Sequence, residues 1–408
     1  MSDTGLELRK TDSNRNMKTP NPKDMMVFKT LTNYTDWNKL IEHCDSIDEL
    51  SGLEKKKAKR AFKLLQKEFG DNFLKTAFDA RHPIFQYLIN RAPWTRKWII
   101  WFADAIGELK SQENHESLFA RLQDAEKFPE ALSVLEIAFH LCRVGFTMSV
   151  DPKVEISGGI KIPDLKACDV DNHEEFFVEV SIQRTSEVEQ EAWQTFERIH
   201  SVFWRSVPFI HYCGRVHKTL ADKHLDQILK KVENILERCT KEGAFQEIVV
   251  EGVIEIGIAP EGDKEILHEW AVDRGLKVGE FSGPSYDVNE VLRTKRTIRD
   301  EQRQLPRDLP NIVVVKNNNV FIHLKDVRAT IGELEEEVYR HPHLLCAVVW
   351  GEQLGKAEDM AIMEDQHVFI RRSKAGLITD QYIILLNKFC PMKVLPATIT
   401  KVYNAFRT

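Results

Sequence analysis

Apolar and polar positions along the 408-residue chain change period more than once. From about residue 28 to 125 the spacing is helical. "DELSGLEKKKAKRAFKLLQKEFG" carries an amphipathic pattern that stops at Gly70, a C-cap signal. "TRKWIIWFADAIGELK" sets Trp98, Ile99, Trp101, Phe102, Ala105 and Ile106 on a broad apolar face with charge at its ends. Trp94, Trp98, Trp101 and Phe102 suit either base stacking or a helix core, and the spacing favours core. From about residue 126 the pattern mixes periods. "EALSVLEIAFHLCRVG" predicts a helix ended by Gly145, and "FTMSV" predicts a short strand. "KVEISGGIKIPDLKACDV" predicts two strand segments around Gly158-Gly159, and "EEFFVEVSIQR" predicts the clearest strand of the chain. "SEVEQEAWQTFERIHSVFW" reads as a helix and "VPFIHYCGRV" as the strand after it.

Beyond residue 216 comes a helix near 220–241, one or two strands in "FQEIVVEGVIEIGIAP", and a basic helix near Glu290–Gln304. The last hundred residues alternate strand and helix, with a hairpin-like Asn317-Asn318-Asn319. The expected class is α/β, with the C-terminal elements extending or packing on the preceding sheet. The expected division is a disordered tail at 1–27, helices at 28–125, an α/β domain at 126–305 with its core at 126–215, and a C-terminal α/β region at 306–408.

Alternation within "FFVEVSIQR" puts Phe177, Glu179, Ser181 and Gln183 on one face and Phe176, Val178, Val180 and Ile182 on the other. Asp164 and Lys166 share a face of the preceding strand. If the strands are neighbours, Asp164 and Glu179 lie close together, and two close carboxylates repel unless a cation sits between them. Mg²⁺ or Mn²⁺ suits such a pair: hard ions that take one or two carboxylates and leave room for water and a phosphate. The competing reading is a pair of acids on the wet face of a sheet.

Composition narrows the field. The net charge of −6 argues against nucleic-acid binding over the whole surface. It permits a local basic groove from Lys55–Lys67 or Arg293–Arg307, stretches that serve equally as solvated helix faces. Seven scattered cysteines without a CxxC pair speak for a reducing compartment and against a zinc ribbon. The N-terminus has no apolar segment of a secretory signal, and no run of about 18 apolar residues occurs, so a cytoplasmic protein without membrane partners is expected. A phosphate-binding P-loop and a G-x-S-x-G elbow are both absent.

Glu136 in "VLEIAFHL", then Pro163-Asp164, then Glu179 in "FFVEVS", followed by a helix and a strand, resembles the PD-(D/E)XK nuclease core over residues 126–215. The resemblance implies a restriction-endonuclease-like αβββαβ core and a divalent-metal phosphodiesterase acting on nucleic acid, with DNA the expected substrate. It implies Asp164 and Glu179 as metal ligands, with Glu136 supporting the metal or the attacking water. The family's lysine, two positions after the second acid, is Ser181 here. A hydroxyl holds a water but carries no charge and is no general acid near neutral pH. Lys166 could fill the vacated place from the neighbouring strand, and Gln183 could orient a water. The alternatives are a nuclease fold that has lost its chemistry and binds nucleic acid or scaffolds an assembly, and a defence effector triggered by a protein partner or by homo-oligomerisation.

Overall fold

Helix signals concentrate in the first third of the chain, and helices form there. The computed structural model describes residues 34–156, 159–204, 210–284, 288–322, 327–355, 359–364, 367–374 and 378–407. The expected tail at 1–27 and Gly158 of the expected hairpin lie outside them. The first helices are α1 (Trp37–His43), α2 (Gly52–Phe69), α3 (Phe73–Asp79), α4 (Phe85–Leu88), α5 (Pro93–Leu109) and α6 (His115–Gln123). Ser51 and Glu54 close a capping box at the start of α2. Pro93 opens α5, where its missing N–H costs nothing. Trp98 and Phe102 are fully buried, so the core reading of the aromatic stripe holds for them.

Helix α7 (Phe128–Arg143) follows, and Gly145 at φ +97° turns the chain into strand β1 (Phe146–Val150). Next come β2 (Val154–Ile156), β3 (Gly159–Lys161), β4 (Leu165–Asp169) and β5 (Glu175–Ile182). Then follow α8 (Glu187–Trp204), β6 (Ile210–Val216), α9 (Asp222–Glu242), β7 (Gln246–Val250), β8 (Ile254–Pro260), α10 (Lys264–Asp273) and β9 (Phe281–Ser282). The rest is α11 (Glu290–Glu301), β10 (Asn311–Lys316), α12 (Asn318–Ile322), α13 (Val327–Tyr339), β11 (Leu344–Leu354), β12 (Met360–Glu364), β13 (His367–Ser373), β14 (Ile378–Leu386) and α14 (Pro396–Arg407).

The chain forms two units. One joins residues 1–183 to 290–408, and the other is 184–289. In the first unit the described residues build an eight-stranded mixed sheet in the order β1-β4-β5-β10-β11-β14-β13-β12. β5, β10 and β11 run parallel, and the other pairs are antiparallel. Phe176, Val178 and Val180 face the same cluster as Leu135 and Ala138 of α7 and Phe102 of α5. Burying each such side chain contributes about 1.5–3 kcal/mol. Phe177, Val313, Val315, Ala347 and Val349 face the opposite way, against Ile298 of α11 and Leu334 and Val338 of α13. In the second unit, β7-β8-β6-β9 form a sheet whose cluster takes in Leu225, Ile228 and Val232 of α9.

Several expectations change. The helix and strand at 187–216 do not complete the sheet of β5; they belong to the second unit. The elements that follow β5 within its own unit are α11 and β10, so the order α7, β1, β4, β5, α11, β10 spans an insertion of residues 184–289. The boundary expected at 305/306 therefore falls at 289/290. None falls at 125/126, because α5 and α7 share one cluster. Around Gly158-Gly159, β2 and β3 pair only with each other, and Ile162 to Asp164 separate them from β4. Pro163, which has no N–H for a ladder, sits in that break. Asn317 to Asn319 start α12 rather than a hairpin: the Asn319 N–H donates to the Asn317 side chain at 3.0 Å.

A candidate metal site at a buried acid pair

Asp164 stands just before β4, and Glu179 lies within β5. Leu165 pairs with Val178, which brings Asp164 level with Glu179. The backbone N–H of Asp164 donates to Glu179 Oε2 at 3.4 Å, and the N–H of Val180 donates to Asp164 Oδ2 at 2.9 Å. Both residues are only 8% exposed. Burial pushes the Asp164 carboxyl above its ordinary range, while the Val180 N–H and Arg121 pull against it. Glu179 is driven up further, by burial first, then by the charge of Asp164, then by Glu301 and, more weakly, Glu130. At neutral pH the pair holds on to a proton that a cation could replace.

Arg121 of α6 approaches Asp164 Oδ1 at 3.4 Å through Nη1 and reaches Asp151 Oδ1 at 2.8 Å through Nη2. Asp151 has a left-handed backbone, φ +48°, and its other oxygen accepts from the Ser117 hydroxyl. Its N–H donates to the Asp164 carbonyl at 3.0 Å, which ties the turn after β1 to the start of β4. The surroundings are thus Asp151, Glu130 and Glu301 on the acid side and Arg121 on the basic side. None of these four stands out in the sequence. Arg121 is a lone basic residue in a short helix, and Asp151 shows only as a turn residue before proline.

The other expected residues lie elsewhere. Lys166 shares the expected face, but its ammonium pairs with Glu175 Oε1 at 2.8 Å. Glu175 is opposite Cys168, so the lysine leans away from Asp164 along the ladder. Ser181 is half-buried, two residues beyond Glu179 on the same face. Gln183 is held by α11 and by the residue after β10: its Oε1 accepts from Thr294 Oγ1 at 3.2 Å and from Asn317 Nδ2 at 2.8 Å.

Glu136 does not join the pair. α7 packs over Val178 and Val180, whereas Glu179 alternates with them and faces the opposite side of the sheet. Glu136 instead accepts from Lys374 Nζ, with His140 Nε2 at 3.5 Å. The Lys374 ammonium also has Glu352 Oε1 at 3.8 Å and Asp380 Oδ1 at 4.0 Å, and it lies 4.2 Å from the ring centre of Trp101. Three carboxylates therefore do converge near Glu136, but a lysine occupies their centre. Among the described residues, no group of three His, Cys, Asp or Glu side chains is arranged to hold a metal ion. Two carboxylates nonetheless suffice for Mg²⁺ where water and phosphate complete the shell.

Of the two expected basic stretches, Arg293–Arg307 is mostly spent on carboxylates, and in Lys55–Lys67 Lys59 pairs with Asp45 at 2.6 Å. In α11, Arg293 pairs with Glu290, Lys295 with Glu336 and Arg299 with Glu337, and just after it Arg303 pairs with Asp300. Among the described residues, no helix is long and apolar enough to cross a membrane. In comparison with known proteins, no family model, no curated protein and no solved structure matches this chain.

Proposed function

We propose that this chain is a divalent-metal-dependent nuclease of the PD-(D/E)XK type, hydrolysing phosphodiester bonds of nucleic acid, with DNA the first substrate to test. The observation that carries the reading is the pair of buried, adjacent carboxylates at the start of one strand and the middle of the next. A paired but cation-less burial of two acids is costly, and a divalent cation removes the repulsion. The element order α7, β1, β4, β5, α11, β10, with β10 parallel to β5, supports it as the order αβββαβ. The donor set fits Mg²⁺ or Mn²⁺: two oxygen ligands of hard character, Asp164 and Glu179.

When bound, such an ion polarises the phosphate and lowers the pKa of a coordinated water. The protein's own groups do the rest. The Val180 N–H and Arg121 fix the Asp164 carboxylate, and the Asp164 N–H fixes that of Glu179. Arg121 brings positive charge to the site, where the family pattern would have a lysine. Glu136 is a structural residue in this reading, not a ligand.

The test uses plasmid DNA and RNA with Mg²⁺, Mn²⁺ or chelator. Wild type is expected to cut with metal, and Asp164→Ala and Glu179→Ala to lose ~100-fold or more, in line with removal of a main electrostatic element of a site. Equal cutting by wild type and the double variant under every metal would sink the proposal. A second reading, a catalytically silent relative that binds nucleic acid, is favoured by Ser181 and by the Lys166–Glu175 pair. It predicts binding without cutting in the same assay.

A further inference from the structure

The N-terminal ends of β10 and β11 border a cavity of about 410 Å³ lined by Gln302, Arg307, Arg340, His341, His343 and Met392, with Pro342 and Pro391 completing an apolar wall. Cavities of this size suit small ligands. The basic groups outnumber the acidic ones. Glu337 accepts from Arg299 Nε at 2.8 Å, from Arg340 Nη1 at 3.1 Å, and lies 3.1 Å from His341 Nε2. One carboxylate thus answers Arg299 and Arg340 together, and it leaves Arg307 unanswered. Arg307 is exposed and forms no hydrogen bond or ion pair with the described residues. His343 is buried, with Nε2 3.2 Å from the Gln302 carbonyl.

We infer that this cavity binds a phosphate group of a nucleic-acid strand, with the attached sugar or base against Pro342, Pro391 and Met392. Guanidinium groups present paired donors that match phosphate oxygens. An excess of positive potential is already felt inside: His343 is held below its ordinary pKa by burial first, and also by His341 and Arg307. A bound anion relieves that crowding.

The cavity and the acid pair are on one face of the sheet. Glu179 alternates with Val178 and so shares the side of α11 and α13, and Arg340 and His341 follow directly on α13. Glu179 is level with Val313 and Ala347 across the parallel strands. His343 lies two strands over and four residues back, a separation of roughly 16 Å by standard strand dimensions. That is about four to five nucleotide steps along one duplex strand. This spacing rests on the proposed nuclease site; the binding of phosphate at the cavity does not.

The experiment measures binding in chelator, where metal-dependent cutting is off. The probes are inorganic phosphate, adenosine 5′-monophosphate, adenosine and a short single-stranded DNA. Arg307→Gln with Arg340→Gln, and Arg307→Glu alone, are compared with wild type. Both arginines are exposed, and Glu337 keeps Arg299 and His341 when Arg340 changes; circular dichroism verifies the fold. The expected result is binding of phosphate and the monophosphate, none of adenosine, and a loss of ~10-fold or more for monophosphate and DNA in the double variant and in Arg307→Glu. Wild-type affinity in both variants, adenosine binding as well as its monophosphate, or no binding of any phosphate probe would each overturn the inference. Loss of monophosphate binding with DNA binding unchanged overturns the assignment to a strand in favour of a free nucleotide. If wild type never cuts while the cavity still binds phosphate, only the nuclease reading falls.

Discussion

The charge of Asp164 makes Glu179 harder to ionise, burial raises both carboxyls, and both are cut off from water. Their folded-state pKa values are raised, so the folded protein binds protons more tightly than the unfolded chain. For such acids stability is fullest below the ordinary value, 4.5 for a glutamate, and is lost as pH rises through the raised one. The metal-free protein is therefore expected to lose Tm between about pH 5 and about pH 8, and Mn²⁺ to restore it more at the higher pH. Glu179→Gln should flatten both effects and raise the metal-free Tm near pH 8 by ~2–4 °C per kcal/mol of repulsion removed. A Tm series with and without Mn²⁺ checks this; an unchanged pH profile in Glu179→Gln would exclude the coupling. Lys374 poses the opposite case, a buried cation among Glu136, Glu352 and Asp380. Lys374→Met strands those carboxylates, and chemical denaturation should show a loss of ~3–5 kcal/mol. A loss below ~1 kcal/mol, the level of an exposed ion pair, would contradict the described network.

At the scale of elements, periodicity made α2, α5, α7, β1 and β5 legible, because each buries one face and its residues alternate accordingly. The closeness of the two acids was legible in part: alternation placed Glu179 on one face of its strand, whereas Asp164 comes level with it from the turn just before β4. Position in the sheet was not legible. The strand at 210–216 follows β5 in sequence and has the right composition, yet β10 is the partner of β5. Propensity cannot choose between two good strands when the choice rests on long-range pairing. Glu136 failed for a related reason. Its helix was read correctly, but which way a buried acid points depends on the cation that meets it, and Lys374 lies 238 residues away. Lys166 failed locally: Glu175 was close enough to take it first.

At the scale of the molecule, the inserted unit changes the meaning of the net charge. Residues 184–289 contain 13 Lys and Arg against 19 Asp and Glu, which is the whole of the −6. The unit bearing the acid pair and the basic cavity is formally neutral. The argument from acidity against nucleic acid therefore applies to the insertion and not to the proposed site. The insertion has cores of its own, one around Val232 and Ile256 and one around Leu267 and Trp270. Residues 184–289 expressed alone are expected to unfold cooperatively in thermal circular dichroism, as domains with their own core do. A non-cooperative, coil-like melt would show that the insertion depends on the rest of the chain.

The same insertion sets a timetable for synthesis. β5 pairs with β10, and Phe177 and its partner Asn311 are 134 residues apart. A ribosome adding ~5–20 residues per second needs roughly 7–27 s to cover that distance. Throughout that interval the nascent β1-β4-β5 meander shows one unpaired edge, lined by Phe176, Val178 and Val180 on one side and Phe177 on the other. An apolar open edge is a template for association with other chains. The glutamate that makes β5 interesting chemically also lies in the middle of this edge, where a charge is the ordinary means of discouraging such pairing. Glu179 thus guards the strand before it has a partner.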